Sequence, residues 1–472
     1  MPERHQSAAA GAAPVPGARA PWRGTVAVVG GTVVDETGSR RADVVARDGR
    51  VVAVGPGLDV PAGATVLDAG GCLVAPGLVD LHTHLRQPGA EEAETVETGS
   101  RAAALGGFTA VVAMPNTDPP VDSAAVALEI LSLGAAALCR VAVAGAITVG
   151  RAGERLAPMG ELAALGVRLF TDDGAGVQDG GLMRRALDYA RGLGVTLAQH
   201  CEDRAIAAGG VMHEGNWSAR LGLPGMPAAA EEAMVARDLA LVAATGARVH
   251  FLHLSCARSL GLVAAARAAG LPVTAEVAPH HLSLTDAELA AYDPLFKVNP
   301  PLRGAPDVAA VRRACAEGTV DAVATDHAPH APHTKQAPMD EAPPGMLGLQ
   351  TAWPVTLGAL HRGEPDLGEG DGDAPGGIRA MAVAEVVGLL SWRPARIAGL
   401  HPSAGGDQGG PVVDGAAANL CVLDPAERWT VDAARLASRS TNSPWHGRTL
   451  TGAVRHTVVA GEPVVIDGEA QR

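Results

Sequence analysis

The stretch GLVDLHTH, residues 77–84, decides the fold, because it joins an apolar strand to two histidines at its carboxyl end. Alternate side chains of a strand point to the same face, so we expect Asp80, His82 and His84 to share one side. A His-x-His pair by itself means little, since many buried histidines are only hydrogen-bonded. The pair therefore gains meaning only if other strands bring further ligands to the same place.

Seven more strand-like runs follow this stretch, and helix-like segments separate them. The eight runs are GLVDLHTH, FTAVVAMP, CRVAVAGAI, GVRLFTD, TLAQHCE, ARVHFLHLS, VTAEVAPHH and DAVATDHA. Segments such as LMRRALDYARGLG and EEAMVARDLALVAATG have helical apolar spacing and end in glycine, a frequent helix stop. Eight such alternations predict an α/β fold, a closed (β/α)₈ TIM-like barrel over residues 77–400, rather than an open doubly wound sheet.

Several of these runs carry a histidine or an aspartate at or near the carboxyl end. The candidate metal ligands are His82, His84, Asp173, His200, His253 and Asp326. The carboxyl ends of barrel strands meet at one mouth, which is where barrel enzymes place their catalytic groups. Imidazole and carboxylate are the usual ligands of catalytic zinc, which keeps one position open for water. The pattern therefore predicts a metal site at the barrel mouth.

The two ends of the chain differ from the barrel region. Residues 24–76 and 401–472 alternate valine-rich segments with glycine and aspartate turns, as short hairpins do. We predict one small β-sandwich, built from both flanks, that packs against the barrel. Residues 1–23 are rich in alanine, proline and glycine, and we expect this tail to be disordered.

Composition excludes several classes of function. The 472 residues include 37 Lys and Arg against 51 Asp and Glu, a formal net charge of −14, with no basic cluster suited to nucleic acid. No apolar run approaches the roughly 18 residues of a membrane span. The six cysteines are scattered without a C-x-x-C pair, which favours a reducing cytosol over a disulfide framework. Neither G-x-G-x-x-G after a first strand nor a phosphate-binding G-x-x-x-x-G-K-[ST] occurs, so no nucleotide cofactor is indicated.

Eight motifs match a known family in content and order. They are DLHTHLRQPG (80–89), MPNTDPP (114–120), FTDDG (170–174), QHCED (199–203), HLS (253–255), VNPPLR (298–303), ATDHAPH (324–330) and NSPWHG (442–447). Together they resemble the amidohydrolase superfamily and, within it, the long type I bacterial dihydroorotases, from about residue 25 to the end. The resemblance implies reversible, zinc-dependent hydrolysis of L-dihydroorotate to N-carbamoyl-L-aspartate, the third step of pyrimidine synthesis.

The resemblance also implies a role for each ligand. His82 and His84 would hold a first zinc ion, His200 and His253 a second, and Asp326 would contact the first ion and act as general base. Many relatives bridge the ions with a carbamylated lysine, whereas this chain has two aspartates, Asp172 and Asp173, at that place. Strand alternation lets only one of them face inward. The lysine of relatives is also followed by glycine, so we choose Asp173 as the bridging residue. Because the aspartate side chain is shorter than a carbamylated lysine, the number of zinc ions bound, one or two, stays open.

Arg86 points to the class of substrate. A planar guanidinium binds a carboxylate through two hydrogen bonds, and dihydroorotate carries a carboxylate that hydantoins and allantoin lack. The resemblance implies further substrate contacts from Asn116, Asn299, His330 and the backbone around Pro344, Gly345 and Met346. Taken one at a time, Arg86 also fits a loop-bracing arginine, Asn116 a turn residue and His330 a loop histidine.

Three other residues carry expectations of their own. Asp80 lies one layer below His82, where we expect it to orient an imidazole. His250, three positions before His253, is expected to face the helices. Gln336 stands where an acidic residue is expected beside the substrate.

Two alternatives stay open at this point. The chain can be another cyclic amidase, of the hydantoinase or allantoinase type, although Arg86 and the aspartate at the bridging position argue against it. It can also be a silent dihydroorotase-like partner of aspartate transcarbamoylase, but such chains have usually lost metal ligands, and all six candidates are present here. A homodimer and a complex with aspartate transcarbamoylase are both possible partnerships.

Overall fold

The computed structural model describes residues 21–362 and 378–472. Residues 1–20 of the predicted disordered tail lie outside the described residues. In chain order the strands are β1 (Thr25–Val29), β2 (Thr32–Asp35), β3 (Gly38–Arg41), β4 (Asp43–Arg47), β5 (Arg50–Gly55), β6 (Thr65–Asp68), β7 (Leu73–Pro76), β8 (Leu78–Thr83), β9 (Phe108–Ala113), β10 (Arg140–Val143), β11 (Leu169–Thr171), β12 (Thr196–Gln199), β13 (Met212–His213), β14 (Gly225–Met226), β15 (Val249–Phe251), β16 (Val273–Val277), β17 (Ala322–Val323), β18 (Leu420–Thr430), β19 (Thr449–Val459), β20 (Glu462–Ile466) and β21 (Glu469–Ala470). The α-helices are α1 (Val96–Leu105), α2 (Ala124–Gly134), α3 (Met159–Ala164), α4 (Gly180–Leu193), α5 (Arg204–Ala207), α6 (Asn216–Leu221), α7 (Ala229–Thr245), α8 (Ala257–Ala268), α9 (Ala305–Ala316), α10 (Ala352–Leu357), α11 (Val383–Leu390) and α12 (Trp392–Ile397).

Eight parallel strands form the barrel. Strands β8, β9 and β10 pair in one sheet, and β11, β12, β15, β16 and β17 pair in another. Two single bridges, Gly145–Phe170 and Thr83–His327, join these sheets at both seams, so the strands close into a ring. Each of the eight predicted runs contains one of these strands, which confirms the predicted fold class.

The two helical segments singled out in the sequence are α4 and α7. Both end where the next residue is a glycine in the left-handed conformation, Gly194 with φ 69° and Gly246 with φ 67°. Only glycine adopts this conformation without strain, so it ends the helix and turns the chain back toward the next barrel strand.

The sandwich draws its strands from both ends of the chain. Strand β7 pairs in parallel with β2 and antiparallel with β18, so residues from both flanks share a seven-stranded sheet. A four-stranded sheet, β5-β4-β1-β6, covers it. Val28 and Val44 of the smaller sheet share one apolar cluster with Val33, Val74 and Val422 of the larger one. This burial confirms the prediction of one sandwich built from both termini.

No helix within residues 21–362 and 378–472 combines the length and the apolar character needed to cross a lipid bilayer.

Candidate active site at the barrel mouth

The six candidate ligands lie together where the barrel strands end. All six are buried, with side chains from strands that are far apart in sequence: His82, His84, Asp173, His200, His253 and Asp326. Two overlapping groups bring three potential ligand atoms within 4.8 Å of one another: His82 with Asp173 and His253, and His82 with His84 and Asp326. Each group can hold a metal ion.

Asp173 lies at the centre of the cluster. Its Oδ1 is 3.4 Å from Nε2 of His82, 3.5 Å from Nε2 of His253 and 3.6 Å from Nδ1 of His200. Its Oδ2 is 3.6 Å from Nε2 of His84. A tetrahedral ion with ligand bonds of about 2.0–2.1 Å places its ligand atoms roughly 3.3–3.4 Å apart. The spacing therefore fits ligands around an ion better than it fits direct hydrogen bonds.

The histidines are also oriented as metal ligands usually are. Nδ1 of His82 donates to Glu276, Nδ1 of His84 to Asn116 and Nε2 of His200 to Glu202. When such an imidazole is neutral, as a metal ligand must be, its other nitrogen turns a lone pair toward the cluster.

The cluster-facing nitrogen of His82 gives the most direct test of this fit. Nε2 of His82 is buried and has no hydrogen-bond partner among the described residues. An unpaired buried polar atom costs about 1–3 kcal/mol, which a bound ion would relieve.

Of the two adjacent aspartates, Asp173 faces the histidines and Asp172 faces away. Asp172 accepts hydrogen bonds from the backbone nitrogens of Ile147 and Thr148, at 2.9 and 3.0 Å, and so braces the loop after β10. The orientation agrees with the strand-alternation argument. The role of Asp173 as a bridging ligand stays a prediction.

The electrostatics of the cluster favour ionised carboxylates. Burial raises the pKa of Asp173, but the charge of His82 and the contacts with His200 and His253 outweigh this effect and hold the pKa well below its usual range. Burial likewise raises the pKa of Asp326, yet the contact with His84 and the charge of His82 lower it overall. A metal cation would stabilise the same two anions and would compete with protons for the imidazoles.

Glu276 is a residue of this site that the sequence reasoning missed. It is fully buried on β16, where Oε1 accepts from Nδ1 of His82 at 3.1 Å and Oε2 from Nε2 of His250 at 2.9 Å. Burial raises its pKa, but these two histidines lower it to about 2. The available signal was a lone carboxylate inside an apolar strand, VTAEV, because a buried charge needs a partner.

Two expectations about neighbouring residues were wrong. His250 does not face the helices: it points into the barrel, between Thr274 and Glu276. Asp80 does not orient the imidazole of His82, since its carboxylate accepts from the backbone nitrogen and the hydroxyl of Thr325, at 2.8 and 2.6 Å. Asp80 therefore ties the first barrel strand to the eighth, and Glu276 takes the role expected for it.

We predict that Glu276→Gln weakens metal binding about 10–100-fold, because a glutamine cannot accept from both His82 and His250. The measurement is the metal retained per chain after dialysis against graded chelator. Asp238→Asn is the matched control, a buried carboxylate bonded to Gln199 and Arg237 and not to any candidate ligand. Equal metal retention in both variants would contradict this role of Glu276.

Glu202 is a second residue that was missed, although the motif QHCED contains it. Its Oε2 accepts from His200 at 3.3 Å and from Nδ2 of Asn299 at 2.7 Å. Burial raises its pKa, but the contact with His200 lowers it to about 2. Asn299, expected to contact substrate, is therefore linked to the cluster through Glu202, while its Oδ1 is buried and unpaired within the described residues.

The expected carboxylate clamp lies beside the cluster. Arg86 adopts a left-handed backbone conformation, φ 60°, and its Nε donates to the carbonyl of Pro329 at 3.0 Å. Asn116 is not a simple turn residue, because its amide accepts from His84 at 2.8 Å and donates to Asp173 at 3.3 Å. Asn116 thus contacts two of the candidate metal ligands, and its expected contact with substrate stays a prediction.

His330 and the loop after it form the remaining wall. Nε2 of His330 donates to the carbonyl of Pro344 at 2.8 Å. A side chain on Gly345 would start 2.7 Å from the same His330 nitrogen, so only glycine fits here. Gln336, in contrast, is exposed on this loop, while the adjacent Lys335 is buried.

Comparisons with known proteins point to one family. A family model described as dihydro-orotase-like matches residues 71–259. The dihydroorotase of Anaeromyxobacter dehalogenans (strain 2CP-C) is 48% identical over 450 residues, which cover 94% of this chain and 99% of that protein. The dihydroorotase of Mycobacterium tuberculosis (strain ATCC 25618 / H37Rv) is 48% identical over 432 residues, which cover 91% of this chain and 96% of that protein.

Solved structures share the architecture at lower identity. L-Hydantoinase (dihydropyrimidinase) from Arthrobacter aurescens superposes with a TM-score of 0.81 at 26% identity, covering 96% of this chain and 98% of that one. Dihydropyrimidinase from Brevibacillus agri NCHU1002 gives a TM-score of 0.79 at 22% identity, covering 95% and 96%. The second likeness shows the fold alone.

Proposed function

Because the chain belongs to the dihydroorotase family, we propose that it opens the ring of L-dihydroorotate to N-carbamoyl-L-aspartate and catalyses the reverse ring closure. The observation that carries this proposal is the position of Arg86 beside a buried cluster of four histidines and two aspartates. The cluster suits hydrolysis of a cyclic amide, and the guanidinium suits an acidic substrate.

We propose zinc as the metal, held by His82, His84, Asp173, His200, His253 and Asp326, with one or two ions per chain. A donor set of imidazoles and carboxylates is typical of catalytic zinc. When bound, zinc lowers the pKa of water to about 7 and polarises a carbonyl group.

Asp326 is proposed as the general base. Its Oδ1 lies 3.3 Å from Nε2 of His84 and 3.6 Å from Nε2 of His82, and its lowered pKa keeps the carboxylate ionised. An ionised carboxylate at this place can accept the proton of the attacking water and pass it to the ring nitrogen that leaves. Its backbone φ of 47° marks a strained position, as is common at catalytic residues.

Arg86 is proposed to bind the ring carboxylate, with His330 and Asn116 nearby, and with Asn299, Pro344 and Gly345 along the ring. Burial lowers the pKa of Arg86, and the charges of Asp326 and Asp173 offset part of this effect. The guanidinium therefore lies close enough to these two carboxylates to feel their charge. Its Nε is engaged with Pro329, which leaves the two terminal nitrogens to face a substrate carboxylate.

Arg86→Ala is expected to raise KM for dihydroorotate about 10- to 100-fold with a smaller change in kcat, because a charge-assisted pair of hydrogen bonds is worth about 1.5–3 kcal/mol. Steady-state kinetics measure KM and kcat separately and so check this expectation. Arg155→Ala, an exposed arginine of the loop after β10, is the control. An unchanged KM in Arg86→Ala would exclude this arginine from substrate binding.

The function itself is tested on the purified chain. Metal per chain is counted, and ring opening of L-dihydroorotate is followed by loss of ultraviolet absorbance, with hydantoin, dihydrouracil and allantoin as competing substrates. We expect dihydroorotate to be the only one of these four compounds that is hydrolysed efficiently, because the other three carry no carboxylate for Arg86 to bind. A preparation that holds metal and prefers hydantoin would instead favour a hydantoinase.

We further propose a cytosolic location, since all six cysteines are buried and unpaired, as in proteins of reducing compartments. Self-association and a complex with aspartate transcarbamoylase stay predictions, which size-exclusion chromatography of the chain with and without that enzyme would test.

A further inference from the structure

A large cavity lies at the end of the barrel opposite to the metal cluster. Its volume is about 710 Å³, and its wall includes Thr196, Val249 and Val273, the first residues of β12, β15 and β16. The candidate ligands His200 and His253 follow the other ends of β12 and β15. A strand rises about 3.3 Å per residue, so Thr196 and His200 are roughly 13 Å apart. A ligand in this cavity would not be the molecule that reacts at the metal cluster.

Two of the arginines in the cavity wall have no carboxylate partner among the described residues, Arg168 and Arg248. Nη1 of Arg168 donates to the backbone carbonyl of Ala163 at 2.9 Å, and Nη2 of Arg248 donates to that of Gly194. Each guanidinium therefore uses one terminal nitrogen. Its other nitrogens have no protein acceptor within the described part of the chain.

Two further arginines in the wall, Arg267 and Arg396, are each paired with one acid. Nη1 of Arg267 lies 3.0 Å from Asp321, and Nη2 of Arg396 contacts Glu36. The wall thus combines four guanidinium groups with two carboxylates as their partners. This positive balance stands out in a chain whose formal net charge is −14, and a cleft lined by one sign of charge concentrates ions of the other.

The remaining wall is largely apolar. Leu271, Pro272 and Ile397 line it, and the volume lies within the range of about 300–1,000 Å³ that is typical of small-molecule sites. We propose that this cavity binds a small phosphate monoester that carries an apolar or aromatic group, such as a nucleoside monophosphate. The guanidinium groups would hold the phosphate, and the apolar wall would pack against the rest.

The competing explanation is purely structural. Three of these arginines donate to backbone carbonyls, and cations near helix ends offset the partial negative charge there. A hydrogen bond to a backbone carbonyl needs only one donor group, which a glutamine side chain also supplies. Substituting glutamine for arginine therefore removes the charge and keeps a donor for the carbonyl.

The experiment is calorimetric titration of the full chain with adenosine 5′-monophosphate, with inorganic phosphate and adenosine as separate arms. We expect the monophosphate to bind with a Kd of about 1 mM or tighter, and each of the two fragments to bind at least about tenfold more weakly. The double variant Arg168→Gln/Arg248→Gln should weaken binding at least about tenfold. Arg184→Gln, on the exposed face of α4, is the control and should bind as the unaltered chain does.

Three outcomes would overturn the proposal: absence of binding, equal binding by the glutamine double variant, and competition by saturating L-dihydroorotate. Equal affinity for phosphate and for the monophosphate would overturn the stated ligand class. Thermal melting of each variant separates loss of the site from loss of the fold. Because binding is measured directly, the result does not depend on whether the chain turns over dihydroorotate.

Discussion

Asp326→Ala is expected to lower kcat for ring opening by about 10²–10⁴-fold while part of the metal is retained, because general base catalysis contributes this much. The other ligands of the first group, His82 and His84, stay in place and can still hold an ion. The measurement is kcat at saturating dihydroorotate together with metal per chain.

Asp326→Asn separates the two roles of this side chain. Asparagine keeps an oxygen at the same position but cannot take up a proton. We expect the Asn variant to hold more metal than the Ala variant and to be nearly as slow. Turnover close to that of the unaltered protein in either variant would show that Asp326 is not the base. If kcat of the two variants instead rose in proportion to their metal content, Asp326 would be a metal ligand only.

Asp173→Asn is expected to have the second large effect, a fall of at least about 100-fold in metal affinity with a matching loss of kcat. Among the residues that the structure describes, Asp173 is the one side chain with carboxylate oxygens within 3.6 Å of four histidines, His82, His84, His200 and His253. A neutral amide would lose the charge that faces these imidazoles. Metal content after dialysis against chelator, measured beside kcat, checks the expectation.

The adjacent aspartate supplies the control for this prediction. Asp172→Asn disturbs the hydrogen bonds to Ile147 and Thr148 and should cost about 1 kcal/mol of stability. It should leave the metal content unchanged, because Asp172 faces away from the histidines. If both variants lost metal equally, the choice between the two aspartates would be wrong.

Predictions that rested on the periodicity of one segment agree with the structure. The alternation of strands and helices over residues 77–400 places all eight barrel strands, and the valine-rich flanks place the sandwich. Side-chain parity also let only one of Asp172 and Asp173 face inward, and the resemblance to relatives, through the glycine that follows, selected Asp173. These features depend on the backbone of one strand and its neighbours in the sequence, which the residues themselves specify.

Predictions about side chains that touch across the barrel succeeded less often. Asp80 and His250 each contact other residues than expected, and Glu276 and Glu202 were not singled out at all. Asn116 contacts His84 and Asp173, which the sequence did not indicate, while its expected contact with substrate stays a prediction. Which buried polar group meets which partner depends on the tilt and register of separate strands, and no single segment contains that information.

The sequence by itself thus determined the fold class and the six buried residues at the strand ends, because strand alternation and helix stops are local properties of the chain. Only the tertiary structure decided that Glu276 would hold His82 and that Arg168 and Arg248, 80 positions apart in the sequence, would line one cavity. Both pairings follow from closing the barrel, which brings distant strands to fixed separations, and such separations arise only when the whole ring has formed.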